Sequence, residues 1–555
     1  VGANLFGIDV SGLDVPRFLA GARALFPLLA LLWLGGLALV RRSWWLLLGV
    51  LLANAYVWGE TTYPLQRLYA LGPSHDRVGN VALCQVVAAA GRPLTTAQVG
   101  QLHFEPFWSG LVAVLSGGDA DRLLRLYAVL PLAMACGFAL SLYFGLGRGW
   151  SGWERALCAG AATLLSSNAL DFTGVYRIPW SLTFLLKPNH ALGLVLLPWV
   201  LRAFAGIRTW RGRVAVGVLL HLLGWVFVVH MAYVSCGLVA FALLTAWRDR
   251  SEAGKAWRDV AVVLGVNALV VSPYLVMLLV GYPIFDPGPR MQIPPASAHL
   301  LEVTTGAGAL FAFAVWGGAA LWRRRDVLAR LWLAQALAAL ALWIAYYGLS
   351  ALQLAKEKDE LFYWTRFLAG VLAGLGAWDA VSRAAALWRP GLAEWARAAL
   401  VSALALPFTL PYWWDPMRMD GYFAGSLAPL PEAVAGPARA VRAAGGPKDI
   451  VAGDVEAARW VAALAGRRGL RVAHLHRPKD YQVRDALEEA LVRRGLPEGA
   501  PYPVRFLMVT PALLARYPPV TLGDLDARPD LRRIHLSGDP AGDYVAVYEV
   551  GGARP

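Results

Sequence analysis

Charge is in short supply in this chain. Asp, Glu, Lys and Arg make up 16% of its 555 residues while 58% are hydrophobic, a balance that excludes an ordinary soluble protein. Cysteine is scarce too: Cys84, Cys136, Cys158 and Cys236 are the whole set. They lie in or near apolar segments without metal-ligand spacing, so they imply no disulfide framework. The polar C-terminal region has no cysteine, no GxGxxG and no GxxxxGK[ST], which removes the usual marks of a nucleotide site. The opening VGANLFGIDVSGLDV lacks the basic start and small-residue cleavage site of a signal peptide. No 20–50-residue repeat interrupts the pattern.

What the sequence does have is apolar blocks of about 17–23 residues, the length that crosses a hydrocarbon core. The formal charge of +14 would fit a nucleic-acid partner only if it lay on one soluble face. Arginines and lysines fall between the apolar blocks instead, as in a positive-inside membrane protein, so no nucleic-acid partner is expected. Tryptophan, 24 residues in all, often flanks the blocks, as interfacial belts require. Spans are expected near 18–40, 44–58, 123–145, 156–167, 191–204, 214–230, 231–247, 260–280, 301–322, 328–349, 368–386 and 393–411. That makes about twelve crossings. One orientation puts Arg41-Arg42, Arg148, Arg155, Arg208, Arg323-Arg324-Arg325 and Arg389 inside.

The same orientation places the long loop 59–108 outside. It is too polar to span and too apolar to float free, and Tyr63, Leu65, Leu68, Tyr69, Val78 and Val81 recur at roughly helical spacing. Such a segment can lie along a bilayer surface. At its centre stands Ser74-His75-Asp76-Arg77, and it closes with Gly91-Arg92-Pro93 and His103-Phe104-Glu105-Pro106-Phe107-Trp108. Past residue 430 the pattern alternates strand-like and helix-like runs: DIVAGD, VEAARWVAALAGRRG, LRVAHL, YQVRDALEEALVRRG, VRFLMVT, LRRIHL and YVAVYEV. These predict a small α/β domain. The expected division is thus 1–429, a transmembrane domain with the outer loop 59–108, and 430–555, a soluble extracytoplasmic α/β domain.

A first span, an outer loop with an acidic turn, an amphipathic run and then HFEPFW: this order resembles the GT-C superfamily of integral-membrane glycosyltransferases, which use polyprenyl-phosphate sugars. Two features depart from the pattern, an extra helix before the key loop and His-Asp in place of paired acids. The resemblance implies a polytopic helical GT-C-like fold in a prokaryotic plasma (inner) membrane. It also implies a polyprenyl-phosphate sugar donor and a protein, lipid or glycan acceptor. The first-loop carboxylate is then the general base, and Asp76 is the matching position. Some members of that superfamily use a divalent cation held by carboxylates and some do not, so no cofactor is certain and a divalent cation stays open.

The residues themselves allow this chemistry and blander ones. A carboxylate at hydrogen-bond distance can take the proton of an attacking hydroxyl; Ser74 or Asp76 can equally cap the helix that starts near Arg77. His75 is either a site residue or a solvated loop histidine. Glu105 and Asp171, in NALDF, are a second acid, a metal ligand or interfacial carboxylates. A lipid phosphate needs cationic partners, and the outer loops supply Arg177, Lys187, Arg290 and Arg366 against the positive-inside bias. Lys187-Pro188-Asn189-His190 is the most suggestive, because the helix it opens presents free N–H groups to an anion. Snorkelling, or pairing of Arg366 with Glu360, accounts for the same residues without a ligand. His230, in an apolar run, is a functional candidate or a hydrogen-bonded core histidine. The rival functions are a transporter or flippase, which would show broken midplane helices and related halves, and a non-catalytic membrane subunit.

Overall fold

The computed structural model describes residues 28–29, 31–62, 114–115, 120–147, 149–164, 188–281, 285–286, 311–351, 359–414, 432–446, 448–471, 477–478 and 480–551. Contacts divide the chain into two compact units. In the first, the helices are α1 (31–40), α2 (Ser43–Thr62), α3 (Ala120–Gly145), α4 (Gly152–Leu164), α5 (Pro188–Ala205), α6 (Trp210–Val226), α7 (Val228–Arg248), α8 (Arg250–Gly281), α9 (311–323), α10 (Val327–Ala351), α11 (Asp359–Trp388) and α12 (Glu394–Trp414). By length and composition two stretches of described helix suit a membrane crossing, Val229–Arg248 and Val327–Tyr346.

The long apolar helices sort their faces in the way a lipid-bathed bundle requires. On α10, Leu331, Ala334, Gln335, Ala338 and Ala339 are buried, while Leu337, Leu340 and Ile344 are exposed. A soluble monomer rarely leaves such a stripe bare. Where helices touch most closely, small residues make it possible. A Cβ on Gly374 of α11 would lie 2.8 Å from the Leu157 carbonyl and 2.9 Å from Cα of Cys158, both on α4. One on Gly376 would lie 1.9 Å from the Phe313 carbonyl of α9. Polar groups inside the bundle are used as ties: Asn54 of α2 donates to Thr163 of α4 at 3.0 Å, and Arg213 of α6 pairs with Asp259 of α8 at 2.6 Å.

The short arginine-bearing turns gather at one end of the bundle. Arg202 donates to the Phe144 carbonyl at the close of α3, Arg248 to the Arg324 carbonyl, and Arg324 pairs with Glu154. Aromatic rings carry these guanidinium groups: Trp150 beneath Arg324 at 4.6 Å and Trp322 beneath Arg248 at 5.0 Å.

Two of the boundaries that differ from those expected bear on the site. The sequence places a turn at His230, but the break falls at Phe227, whose extended φ of −158° separates α6 from α7; His230 is therefore inside the first turn of α7. The segment 359–367, expected as outer loop, is the start of α11. Its buried Leu361, Trp364, Phe367, Leu368 and Val371 keep helical spacing, and that apolar face outweighs the charges that precede it.

In the second unit, α13 (Glu432–Ala444), α14 (Val455–Ala465), α15 (Tyr481–Arg493), α16 (Pro511–Leu514) and α17 (Leu522–Asp526) accompany seven strands. These are β1 (Phe285–Asp286), β2 (Ile450–Gly453), β3 (Arg468–Gly469), β4 (Arg477–Pro478), β5 (Val504–Val509), β6 (Leu531–Gly538) and β7 (Tyr544–Val550). Five of them form a sheet in the order β3-β2-β5-β7-β6, and β1 pairs with β4 separately. Pairing is parallel from β3 through β5 and antiparallel beyond. Leu487, Leu491, Val504, Leu507, Val509, Leu513, Ala546 and Tyr548 make the core on one face; on the other, α13 and α14 pack against the sheet.

Candidate functional site

Among the described residues, the candidates converge where α5, α7, α10 and α11 meet, at the end of the bundle away from the arginine turns. Pro188 opens α5, a position where its fixed φ suits the helix and its missing N–H is no loss. His190 lies in the same first turn. One turn further, Gly193 touches α7: a Cβ there would stand 2.3 Å from Nδ1 of His230. Only glycine lets the imidazole sit so close to the α5 backbone.

His230 is 2% exposed. Its ring meets Phe227 edge-on at 4.7 Å and tilts against Trp364 of α11 at 5.1 Å. Tyr233 reaches the same indole at 5.5 Å. Beside them Trp343 of α10 donates its indole N–H to Thr365 Oγ1 at 2.6 Å, and Thr365 donates in turn to the Leu361 carbonyl at 2.8 Å. Tyr346 and Leu361 complete this apolar wall. Packed rings with satisfied polar tips make a rigid floor. Arg366 is half-buried and follows Trp364 by two residues, so the helical repeat turns it to the other side of α11 from the indole.

Of the residues singled out in the sequence, the structure thus brings His230 against Gly193, one turn beyond the opening turn that carries His190. It sets Arg366 on an adjoining helix but on a different face. Asp76, His75, Glu105, Asp171, Arg177, Lys187 and Arg290 lie outside the described residues. Within the second unit Phe285 and Asp286 of β1 pair with Pro478 and Arg477 of β4. Sequence reasoning passed over Gly193, Trp343, Trp364 and Thr365. For Trp364 the helical spacing from Leu361 to Val371 was a usable signal; for Gly193 there was none, since its role depends on a residue from another helix.

Inside the second unit the crevice beyond the carboxyl ends of β2 and β5, where open α/β sheets take ligands, is occupied by the chain itself. A Cβ on Gly453, at φ +126°, would stand 1.9 Å from the Met508 carbonyl oxygen. Asp454 then accepts from the Ala457 amide at the start of α14 and from Thr510 Oγ1 at 3.0 Å each. Deeper in the domain Glu488, fully buried, accepts from Tyr517 Oη at 2.9 Å and pairs with Arg471 at 3.1 Å and Arg516 at 3.4 Å. Burial raises the Glu488 carboxyl above its ordinary range, and burial together with Glu488 pushes the Tyr517 phenol up to about 12. Among the described residues no group of three or more His, Cys, Asp or Glu side chains could hold a metal ion.

No protein-family model matches the sequence, and no curated protein sequence matches it. Solved structures do. ArnT from Cupriavidus metallidurans, bound to undecaprenyl phosphate, aligns over 92% of this chain and 99% of its own, at 13% identity and a TM-score of 0.55. The archaeal oligosaccharyltransferase AglB from Archaeoglobus fulgidus, in complex with an inhibitory peptide and a dolichol-phosphate, aligns over 83% of this chain and 69% of its own, at 14% identity and a TM-score of 0.51. The Archaeoglobus fulgidus oligosaccharyltransferase in complex with Zn and sulfate aligns over 83% and 67%, at 12% identity and 0.52. This chain therefore shares the fold of ArnT and of the archaeal oligosaccharyltransferase.

Proposed function

We propose that the protein is a membrane glycosyltransferase that moves a sugar from a polyprenyl-phosphate donor to a protein, lipid or glycan acceptor on the outer face of a prokaryotic plasma membrane. The observation that carries this reading is the fold shared, across nearly the whole of both chains, with ArnT bound to undecaprenyl phosphate. The likeness to an oligosaccharyltransferase holding a dolichol-phosphate supports the same donor class.

The reaction is a single displacement. Asp76 takes the proton of the acceptor hydroxyl as its oxygen bonds to the anomeric carbon, and the bond from that carbon to the phosphate oxygen breaks. Configuration inverts, and the electron pair leaves with the polyprenyl phosphate. Cations hold that phosphate: Lys187 and His190 at the opening of α5, with Arg177, Arg290 and Arg366. His230, buried against Gly193, fixes the turn of α5 that follows that opening. Should the enzyme use a divalent cation, Asp76, Glu105 and Asp171 are the residues that would hold it, and it would neutralise charge on the departing phosphate.

Purified full-length protein in lipid, given radiolabelled polyprenyl-phosphate sugars, tests the proposal. Transfer by the wild type, with a loss of about 10²–10⁴-fold in Asp76→Asn, is the expected result. Wild-type transfer undiminished in the variant removes Asp76 as base, and no turnover with any donor overturns the enzyme reading. Chelation followed by re-addition of Mg²⁺, Mn²⁺ or Zn²⁺ in the same assay decides metal dependence.

A further inference from the structure

At the arginine-bearing end of the first unit, the start of α6 and the first turns of α8 lie side by side. Arg213 and Asp259 bridge them at 2.6 Å, largely buried. Above the bridge a Cβ on Gly217 would meet the Val263 carbonyl and the Val266 side chain within 3 Å. Around this joint stand three exposed arginines, Arg208, Arg211 and Arg258. The nearby acids are already engaged, Asp259 by Arg213 and Glu252 by Lys255 at 3.7 Å. Among the described residues no carboxylate pairs with any of the three.

Two tryptophans flank the arginines, Trp210 at 61% and Trp257 at 40% exposure. The exposed face of α6 continues from Arg211 through Ala215, Val218, Leu222 and Trp225, a heptad-spaced stripe that is apolar once past its first residue. On α8 the same change occurs from Arg258 to Leu269 and Val270, both exposed. Cations therefore sit at the head of two bare apolar stripes, with indoles at the junction. A soluble anion would use the arginines alone. A ligand with an anionic head and an acyl tail uses all of it: phosphate oxygens on the guanidinium forks, glycerol and carbonyl groups beside the indoles, and hydrocarbon along Val218, Leu222 and Leu269.

We infer that the α6–α8 joint is a binding site for the headgroup of an anionic phospholipid in the leaflet that faces the arginine turns. The inference rests on the membrane placement proposed above. An exposed cation beside an anionic surface is worth roughly fivefold in affinity, so three make a preference that can be measured against a zwitterionic lipid.

The test reconstitutes the full chain in phosphatidylcholine bilayers containing a trace of spin-labelled phosphatidylglycerol or spin-labelled phosphatidylcholine, and reads the motionally restricted fraction of each. Wild type is expected to restrict phosphatidylglycerol several-fold more. The triple variant Arg208→Gln, Arg211→Gln, Arg258→Gln loses most of that preference, the corresponding triple Lys variant keeps it, and both restrict phosphatidylcholine as the wild type does. Equal restriction of the two lipids by wild type, or a preference untouched by the Gln triple, overturns the site. Displacement of the restricted phosphatidylglycerol by a soluble oligonucleotide overturns it in favour of a nucleic-acid surface. A protein that restricts no lipid at all fails the membrane placement instead, so the two failures are told apart.

Discussion

Glu488 ties three parts of the second unit to one carboxyl: Arg471 after β3, Tyr517 and Arg516 after α16, and its own helix α15. Removing it by Glu488→Ala leaves Arg471 with Asp485 alone, at 2.8 Å, and leaves the Tyr517 hydroxyl without its acceptor; a loss of about 1–3 kcal/mol is expected. The pH dependence has a definite sign. Burial lifts this carboxyl above its unfolded value, so between the two values the folded state holds the extra proton. Its contribution to stability therefore falls as pH rises through that window. Asp530 runs the other way. Hydrogen bonds from Arg528 hold it below the ordinary aspartate range, and its contribution is lost as pH falls through that depressed value. Unfolding midpoints of the 432–551 sheet in the full-length protein, measured across pH, should lose the first slope in Glu488→Gln and the second in Asp530→Asn.

In the first unit Gly193 offers a comparably sharp residue test. Gly193→Ala drives a methyl into the His230 ring and should destabilise by about 1–3 kcal/mol in a detergent unfolding measurement. Gly137→Ala, whose new carbon would rest 3.7 Å from Val195, should be close to neutral. Equal behaviour of the two variants would contradict the seat described for His230.

Helices and strands differed in how plainly they could be anticipated. Strands β2, β5, β6 and β7 fall on DIVAGD, VRFLMVT, LRRIHL and YVAVYEV because hydrophobic runs bounded by Gly, Asp or Pro leave little choice. The start of α11 was hidden by KEKDE, whose charge marks a loop although Leu361, Trp364 and Leu368 already keep helical time. The break at Phe227 carries neither glycine nor proline; VFVV is β-branched on either side, and only the packed structure shows where the helix yields. The seam of α11 against α4 rests on Gly370 and Gly374, and nothing in sequence said which helix they would meet. Gly374→Leu, placing a branched side chain where 2.8 Å is free, should cost about 1–3 kcal/mol or more. The expected readout is a lowered unfolding temperature in detergent with reduced transfer activity; an unshifted midpoint would mean the seam is loose.

For the molecule as a whole, the proposed orientation is open to direct labelling. Single cysteines replacing the exposed Arg42 and Arg389, in a cysteine-free background, should react with a membrane-impermeant maleimide only after the cells are opened. A cysteine at the exposed Glu498 should react in intact cells. The reverse result would invert the protein and remove an outer-face reaction. The membrane class was legible because arginines recur between apolar blocks. The aromatic floor was not legible, since it is assembled from residues on three helices.

The glycines that let α4, α9 and α11 meet backbone to backbone also limit what those three rods can do. With main chain on main chain there is no side-chain cushion to shear, so they travel as a single plank. Any breathing of the first unit must then be absorbed at seams where side chains, rather than main chain, meet.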